Sequence, residues 1–241
     1  MHPTICTIGP FTIYSYGLML AIGFMVSSSL ASSYAAKKGI PTDTIYNLTL
    51  ISFICGLLGA RIFYIVQNLD YYRFNPREIV MLAHGGLAWF GGLFAGAIAA
   101  VTFIRLKKLP LYVVLDTIAP FIALGQAIGR IGCLLNGCCY GKESTFGLYF
   151  PVHNAMLIPT QLYSSLALLI IFIVLRILQE RPLAQGAIFF SYLLCYSIKR
   201  FFMEFLRADS PACVGGLTLF QILSVIVFFV ATIKLISLKK S

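Results

Sequence analysis

Apolar residues run along most of this chain in long stretches, and short polar stretches separate them. Seven apolar runs approach or exceed the roughly 20 residues that a helix needs to cross a hydrocarbon core. They are Tyr14–Ala36, Thr44–Val66, Leu87–Ile104, Leu111–Leu135, Gln161–Leu178, Gly186–Phe205 and Leu217–Ile236. The pattern predicts an all-α polytopic membrane protein with seven transmembrane helices, built as a single integral membrane domain over residues 1–241. An odd number of crossings puts the termini on opposite sides.

Composition supports the same class. Only 11% of the residues are charged, against roughly 25% in soluble domains. The net charge of +10 does not imply a nucleic-acid partner here, because Lys and Arg collect in the short cytoplasmic connections of membrane proteins. One set of connections holds Lys37, Lys38, Arg105, Lys107, Lys108, Arg176, Arg181, Lys234, Lys239 and Lys240. The other set holds Arg73, Arg77, Lys142 and Arg207. The first set is predicted to be cytoplasmic, which puts the N-terminus outside and the C-terminus inside. The N-terminal "MHPTICTIGPF" has neither a positive n-region nor a small-residue cleavage site, so no cleaved signal peptide is expected.

The outer connections are the longer ones, at 67–86, 136–160 and 207–216. Tyr71, Tyr72, Phe74 and Trp89 fit an interfacial aromatic belt. Ser27, Ser28, Ser29, Ser32 and Ser33 form a small-residue patch in the first helix, suited to close helix packing.

Six charges remain within the spans: Arg61, Asp116, Arg130, Lys199, Arg200 and Glu204. A charge at membrane depth costs several kcal/mol, so it points to function or to a buried ion pair. In the predicted topology Arg61, Arg130, Arg200 and Glu204 lie towards the ends of outward-running helices. Tyr16 and the Gly-rich "HGGLAWFGG" (residues 84–92) lie at the same outer level, and only Asp116 lies near the inside. Snorkelling accounts for any single arginine. Arg130 and Arg200 come with glycines or an acidic partner, and Arg200, Glu204 and Arg207 share one helical face at i, i+4 and i+7. A structural Arg–Glu clamp is the plain alternative.

Arginine forks match phosphate oxygens, and more strongly in a dry site. Two of them at the outer leaflet, in a chain without a nucleotide motif, suggest a phospholipid headgroup. The stretch "GRIGCLLNGCCYGK" (129–142) then reads as a phosphate-binding rim. Gly129, Gly132, Gly137 and Gly141 allow close approach of a backbone or ligand, and Asn136 can donate and accept hydrogen bonds. There are seven cysteines; C-x4-C-C at Cys133, Cys138 and Cys139 is not a standard zinc spacing and has no histidine in register. No metal and no cofactor are expected. Packing or a disulfide is the plain reading of the outer cysteines, with a redox centre as its rival.

Five elements in order then resemble one family across nearly the whole chain. They are "MHPTICTIGPFTIYSYGLMLAIGF", "GARIFYIV", "GRIGCLLNGCCYG", "PTQLYSSL" and "KRFFMEFLRADS". The chain resembles the prolipoprotein diacylglyceryl transferases. The resemblance implies transfer of the diacylglyceryl group of phosphatidylglycerol to the lipobox cysteine thiol of a prolipoprotein signal peptide. Glycerol 1-phosphate leaves, at the outer face of the bacterial cytoplasmic (inner) membrane. It carries Tyr16, Arg130, Arg200 and Glu204 over as catalytic residues. Charge logic makes Arg130 and Arg200 the phosphate clamp, with Glu204 orienting an arginine. Asn136, Gly129, Gly141, Arg61, Arg207, His84, Gln161 and Tyr163 are assigned to substrate binding. Two positions depart from the family pattern: Phe90 stands where many members have a histidine, and Ser164 follows Q-L-Y where a glutamate is usual. The thiol-activating base is therefore open, between a cationic field that lowers the thiol pKa and a substitute at His84 or His153. A thiol–disulfide oxidoreductase using Cys138 and Cys139 and a non-enzymatic lipid or anion transporter are the rival readings. The first leaves the arginines unexplained, and the second lacks the expected repeats.

Overall fold

Uninterrupted apolar sequence leaves the backbone only its own carbonyls as partners, and helices are what such runs form. The computed structural model describes residues 1–8, 11–81, 85–208 and 212–240. A hairpin of β1 (Thr4–Ile8) and β2 (Phe11–Tyr14) leads into α1 (Ser15–Lys37). Then come α2 (Thr42–Gln67), the short α3 (Leu69–Phe74), a 3-10 turn (Pro76–Ile79), α4 (Trp89–Leu106) and α5 (Leu111–Asn136). A second hairpin, β3 (Glu143–Phe150) with β4 (Ala155–Leu157), precedes α6 (Thr160–Gln179) and α7 (Ala187–Leu206). A third, β5 (Ala212–Val214) with β6 (Leu217–Thr218), leads into α8 (Leu219–Lys240). Hydropathy did not foresee the hairpins, which occupy the segment before α1 and two of the longer connections predicted to be outer.

Among the described residues, six helices are long and apolar enough to cross a membrane: α1, α2, α4, α5, α6 and α8. The protein is a mostly helical, multi-pass membrane protein. The seventh long helix, α7, has 20 residues and carries Lys199, Arg200 and Glu204, all three buried.

The described chain divides into two compact units, Ala31–Val114 on one hand and Met1–Leu30 with Leu115–Ser241 on the other. In the first, α2 and α4 pack backbone to backbone. A Cβ added at Gly59 would lie 2.7 Å from the Gly91 carbonyl oxygen, and one at Gly96 would lie 3.1 Å from that of Ser52. Such contact gives helices in lipid the dispersion energy that hydrophobic burial supplies in water.

In the second unit the core joins α5, α6 and α7 through Ala119, Ala123, Ala127, Leu168, Ile171, Leu175, Ile188 and Tyr192. The serine patch of α1 packs as expected at Ser27, whose Oγ donates to the Gly23 carbonyl and would lie 3.0 Å from a Cβ at Gly125. Asp116 turns out to be structural. Its carboxylate accepts from the backbone N–H of Gly186 at 2.6 Å and of Phe189 at 2.8 Å. It thereby caps α7 from a neighbouring helix, where the first turn offers unpaired donors and a positive dipole end.

Candidate functional site: a cationic cluster at one end of the helices

The starts of α1, α6 and α8 and the ends of α5 and α7 meet at one end of the second unit. Gly132 seats α5 against α1: a Cβ there would come 2.9 Å from that of Met19 and 3.4 Å from Tyr16 Cα. α5 then stops at Gly137, whose φ of +74° suits a residue without a Cβ. The Gly137 N–H donates to Leu134 and the Cys138 N–H to Cys133, which is a Schellman closure. The loop beyond is pinned by the first turn of α6. Thr160 Oγ1 donates to the Cys139 carbonyl and Gln161 Nε2 to that of Cys138, each at 2.6 Å. These two bonds tie the P-T-Q-L-Y stretch to the cysteine loop. Gln161 is buried and its Oε1 has no partner among the described residues.

Gly141 closes the same loop. Its N–H donates to the Ile158 carbonyl at 2.9 Å, and a Cβ there would sit 2.7 Å from the Leu206 carbonyl oxygen. At Gly141 both the backbone donor and the space beside Cα are thus taken up by protein. Gly129 is different, with nothing within 4 Å of an added Cβ.

α7 supplies the second half of the cluster. Arg200 Nη2 lies 3.1 Å from Glu204 Oε2, and its guanidinium lies 4.2 Å from the centre of the Phe220 ring. Glu204 is 3% exposed, and its Oε1 accepts from Thr218 Oγ1 at 2.9 Å. Its Oε2 meets Arg200 as an ion pair without an aligned hydrogen bond, so that oxygen keeps open acceptor capacity. Thr218 belongs to a capping box at the head of α8: its N–H donates to Gln221 Oε1, and the Gln221 N–H donates back to its hydroxyl. The T-x-x-Q spacing is visible in the sequence and is the signal that would have found Thr218.

Arg130, Arg200 and Arg207 lie within electrostatic reach of Lys199, and Arg130, Arg207 and the acid Glu204 within reach of Arg200. Lys199 is the residue sequence reasoning left unassigned. It is buried and its Nζ lies 4.6 Å from the centre of the Tyr196 ring. Arg130 is half-buried and has no hydrogen bond or ion pair with any described residue. Tyr16 is within electrostatic reach of Arg130 and of all three clustered cysteines. Asn136 hydrogen-bonds Cys138 through its side chain. Arg207 ends α7 and pairs with Gly141 in an isolated bridge.

The Sγ atoms of Cys133, Cys138 and Cys139 all lie within 4.8 Å of one another, and all three are free thiols. Hydrogen bonds from Cys133 and Cys138, and then the charges of Arg130 and Arg207, hold the Cys139 thiol far below its usual range, against the opposing effect of burial.

Other expectations do not converge here. Arg61, expected to bind substrate, has no donor left for one. Nε donates to Ile79 at 3.1 Å, Nη1 to Gly86 at 3.1 Å and to Gly85, and Nη2 to Met81 at 3.2 Å and to Glu78, all through backbone carbonyls. Its face lies 5.5 Å from the Tyr72 ring centre. All five donors are used. Tyr163 is 47% exposed and makes no hydrogen bond with a described residue. His153 Nε2 pairs with the Gly137 carbonyl at 3.0 Å and its ring lies 4.0 Å from that of Tyr140. His84 lies outside the described residues.

Between α7 and α8 an apolar cavity of about 340 Å³ is lined by Ser197, Phe201 and Phe202 on one side and Phe228 and Phe229 on the other. Ser197 stands about one helical turn before Arg200.

The fold and this cluster define a class: a multi-pass membrane protein with a buried, cation-rich site beside an apolar groove. Residues 3–237 match the family described as prolipoprotein diacylglyceryl transferase, and the chain belongs to it. Relatives named phosphatidylglycerol–prolipoprotein diacylglyceryl transferase include one from Bacillus cereus strain ATCC 14579, 37% identical over 97% of this chain and 90% of that protein. One from Bacillus anthracis is 36% identical with the same coverage.

Proposed function

We propose that this chain is a phosphatidylglycerol–prolipoprotein diacylglyceryl transferase. It moves the diacylglyceryl group of phosphatidylglycerol to the lipobox cysteine thiol in a prolipoprotein signal peptide and releases glycerol 1-phosphate. Family membership favours this reading over an oxidoreductase or a transporter. The observation that carries it to the site is Arg130, a half-buried cation with no anion paired to it among the described residues, in a described cluster of four cations and one acid.

A cation left unpaired at membrane depth is costly, and an incoming phosphate removes the cost. Arg130 and Arg200 grip the phosphodiester oxygens. As the glyceryl C–O bond breaks, negative charge grows on the phosphate, and the two guanidinium groups stabilise it there more than in the ground state. Glu204 holds Arg200 in place, and Thr218 holds Glu204. Lys199 adds positive potential. Tyr16 and Asn136 hydrogen-bond the headgroup or glyceryl oxygens. The α7–α8 groove receives acyl chain next to the clamp.

The site faces the outer leaflet of the bacterial inner membrane, with α7 as the seventh crossing, the N-terminus outside and the C-terminus inside. The ten-to-four partition of basic residues among the connections supports that orientation. Cysteine-accessibility labelling at position 142 tests it: labelling from the cell exterior is expected, and labelling only from the cytoplasm would refute both orientation and site depth. The activity is tested by incubating purified protein with phosphatidylglycerol and a lipobox peptide. The peptide is expected to gain the mass of one diacylglyceryl group; an unchanged peptide mass contradicts the proposal.

A further inference from the structure

The proposed reaction needs a thiolate, and among the described residues of the cluster no unpaired histidine stands ready to make one. Phe90 cannot accept a proton, and His153 is paired with the Gly137 carbonyl. What the site does contain is three other thiols, gathered by two different devices. The last turn of α5 places Cys133, which is 9% exposed. The loop after Gly137 brings Cys138 and Cys139 back over it, with Cys139 itself in the left-handed region at φ 62°. That conformation is disfavoured for an L side chain. It is held by the two side-chain bonds from Thr160 and Gln161 to the carbonyls of Cys139 and Cys138. The three Sγ atoms end up within 4.8 Å of one another. Zinc–sulfur bonds of about 2.3 Å in tetrahedral array put ligand sulfurs ~3.8 Å apart. The observed limit of 4.8 Å is close to that spacing.

We propose that Cys133, Cys138 and Cys139 form a zinc site whose fourth position binds the substrate's lipobox thiol. This rests on the transferase reading above. Three protein ligands with one open position is the arrangement of catalytic rather than structural zinc. Three thiolates around a divalent ion leave one net negative charge, which the neighbouring Arg130 and Arg207 offset. When the lipobox cysteine coordinates, its S–H proton passes to water and the sulfur stays as a metal-bound thiolate. Its sulfur then forms a C–S bond to the glyceryl carbon. The C–O bond to phosphate breaks and the electron pair leaves on the phosphate oxygen held by Arg130 and Arg200. The metal keeps its charge throughout, so no oxidant or reductant is needed.

The test uses the full-length protein in detergent, reduced and stripped with a chelator, then titrated with Zn²⁺ and separately with Co²⁺ as a coloured substitute. One ion per chain is expected, with thiolate-to-cobalt absorption that intensifies when a lipobox peptide is added. Losing a ligand weakens zinc more than the ~100-fold that loss of an outer-shell partner costs. Cys138→Ser and Cys139→Ser should therefore each bind more than a hundredfold more weakly, while Cys55→Ser and Cys195→Ser bind like the wild type. Equal zinc binding by the Cys138→Ser/Cys139→Ser double variant, or none by the reduced wild type, overturns the site. Circular dichroism separates ligand loss from misfolding. Cobalt absorption is read without turnover, so failure of the transferase reading leaves it intact. Unchanged transfer by the metal-free enzyme would reject the metal's role in activation while leaving that reading standing.

Discussion

Arg61 and Arg130 look alike in the sequence. Each sits near the end of a long apolar run, each is near glycines, and each has a tyrosine or cysteine neighbourhood. Their surroundings differ completely. Arg61 donates to five backbone carbonyls and leaves no N–H free. Arg130 donates to no described residue and lies among like charges. The first arginine is spent on fastening Glu78, Ile79, Met81, Gly85 and Gly86 to α2, within one unit of the chain. The second has no such partner among the described residues, which suits it to an incoming anion. An arginine at membrane depth is thus only a question, and the count of its used donors answers it.

The contrast breaks most sharply on the Arg130 side. Arg130→Ala and Arg200→Ala should each slow transfer by roughly a hundred- to thousandfold, the cost of removing one preorganised donor from developing charge, or about 3–4 kcal/mol. Melting temperature should stay near the wild-type value for Arg130→Ala, because no hydrogen bond or ion pair to a described residue is lost. Thermal denaturation alongside initial rates checks both halves, and a large drop in stability for Arg130→Ala would mean that it, too, is structural.

Removing the base candidates comes next. If a histidine took the thiol proton, its loss would cost roughly 10²–10⁴-fold. The double variant His84→Ala/His153→Ala is instead expected to retain most of the transfer rate. The rate should rise with pH towards the pKa of the substrate thiol, about 8.5 when unperturbed and lower beside cations or on a metal. A collapse of the double variant with the arginines intact would name a histidine base.

Arg61→Ala should do the opposite of Arg130→Ala. Hydrogen bonds to a charged group are worth about 1.5–3 kcal/mol each, and five carbonyls lose their donor together. The expected loss is several kcal/mol of stability, with the rate per folded molecule altered less than tenfold. Measuring folded fraction and rate on the same sample separates the two. The smallest effect belongs to Thr218→Val, which removes a cap and a bond to Glu204. It should cost about 1–2 kcal/mol in stability and slow transfer modestly through a looser Arg200.

The helices were legible because their signal is local. Each of the seven apolar runs became a helix within a few residues of the expected bounds. The three hairpins were not legible, because β3 with β4 or β5 with β6 pairs short segments within connections, where a hydropathy window long enough for a membrane span averages them out. In the site, the charges of Arg130, Arg200 and Glu204 were visible as residues too costly to bury idly. Their partners were not. Whether Arg61 is satisfied depends on carbonyls from Glu78 to Gly86, which no helical periodicity relates to it. The cap role of Asp116 needed the approach of α7 to α5, some seventy residues away in the chain. Gly141 likewise looked like room for a ligand and proved to be room for Ile158 and Leu206.

The most direct test of the central claim sets the two arginines side by side. Wild type, Arg61→Ala and Arg130→Ala, matched for folded protein, are each given phosphatidylglycerol and a lipobox peptide, and the peptide is weighed over time. Wild type and Arg61→Ala should convert the peptide to its diacylglyceryl form at comparable rates, while Arg130→Ala converts it at least about a hundredfold more slowly. Equal conversion by Arg130→Ala would contradict the phosphate clamp on which the account stands.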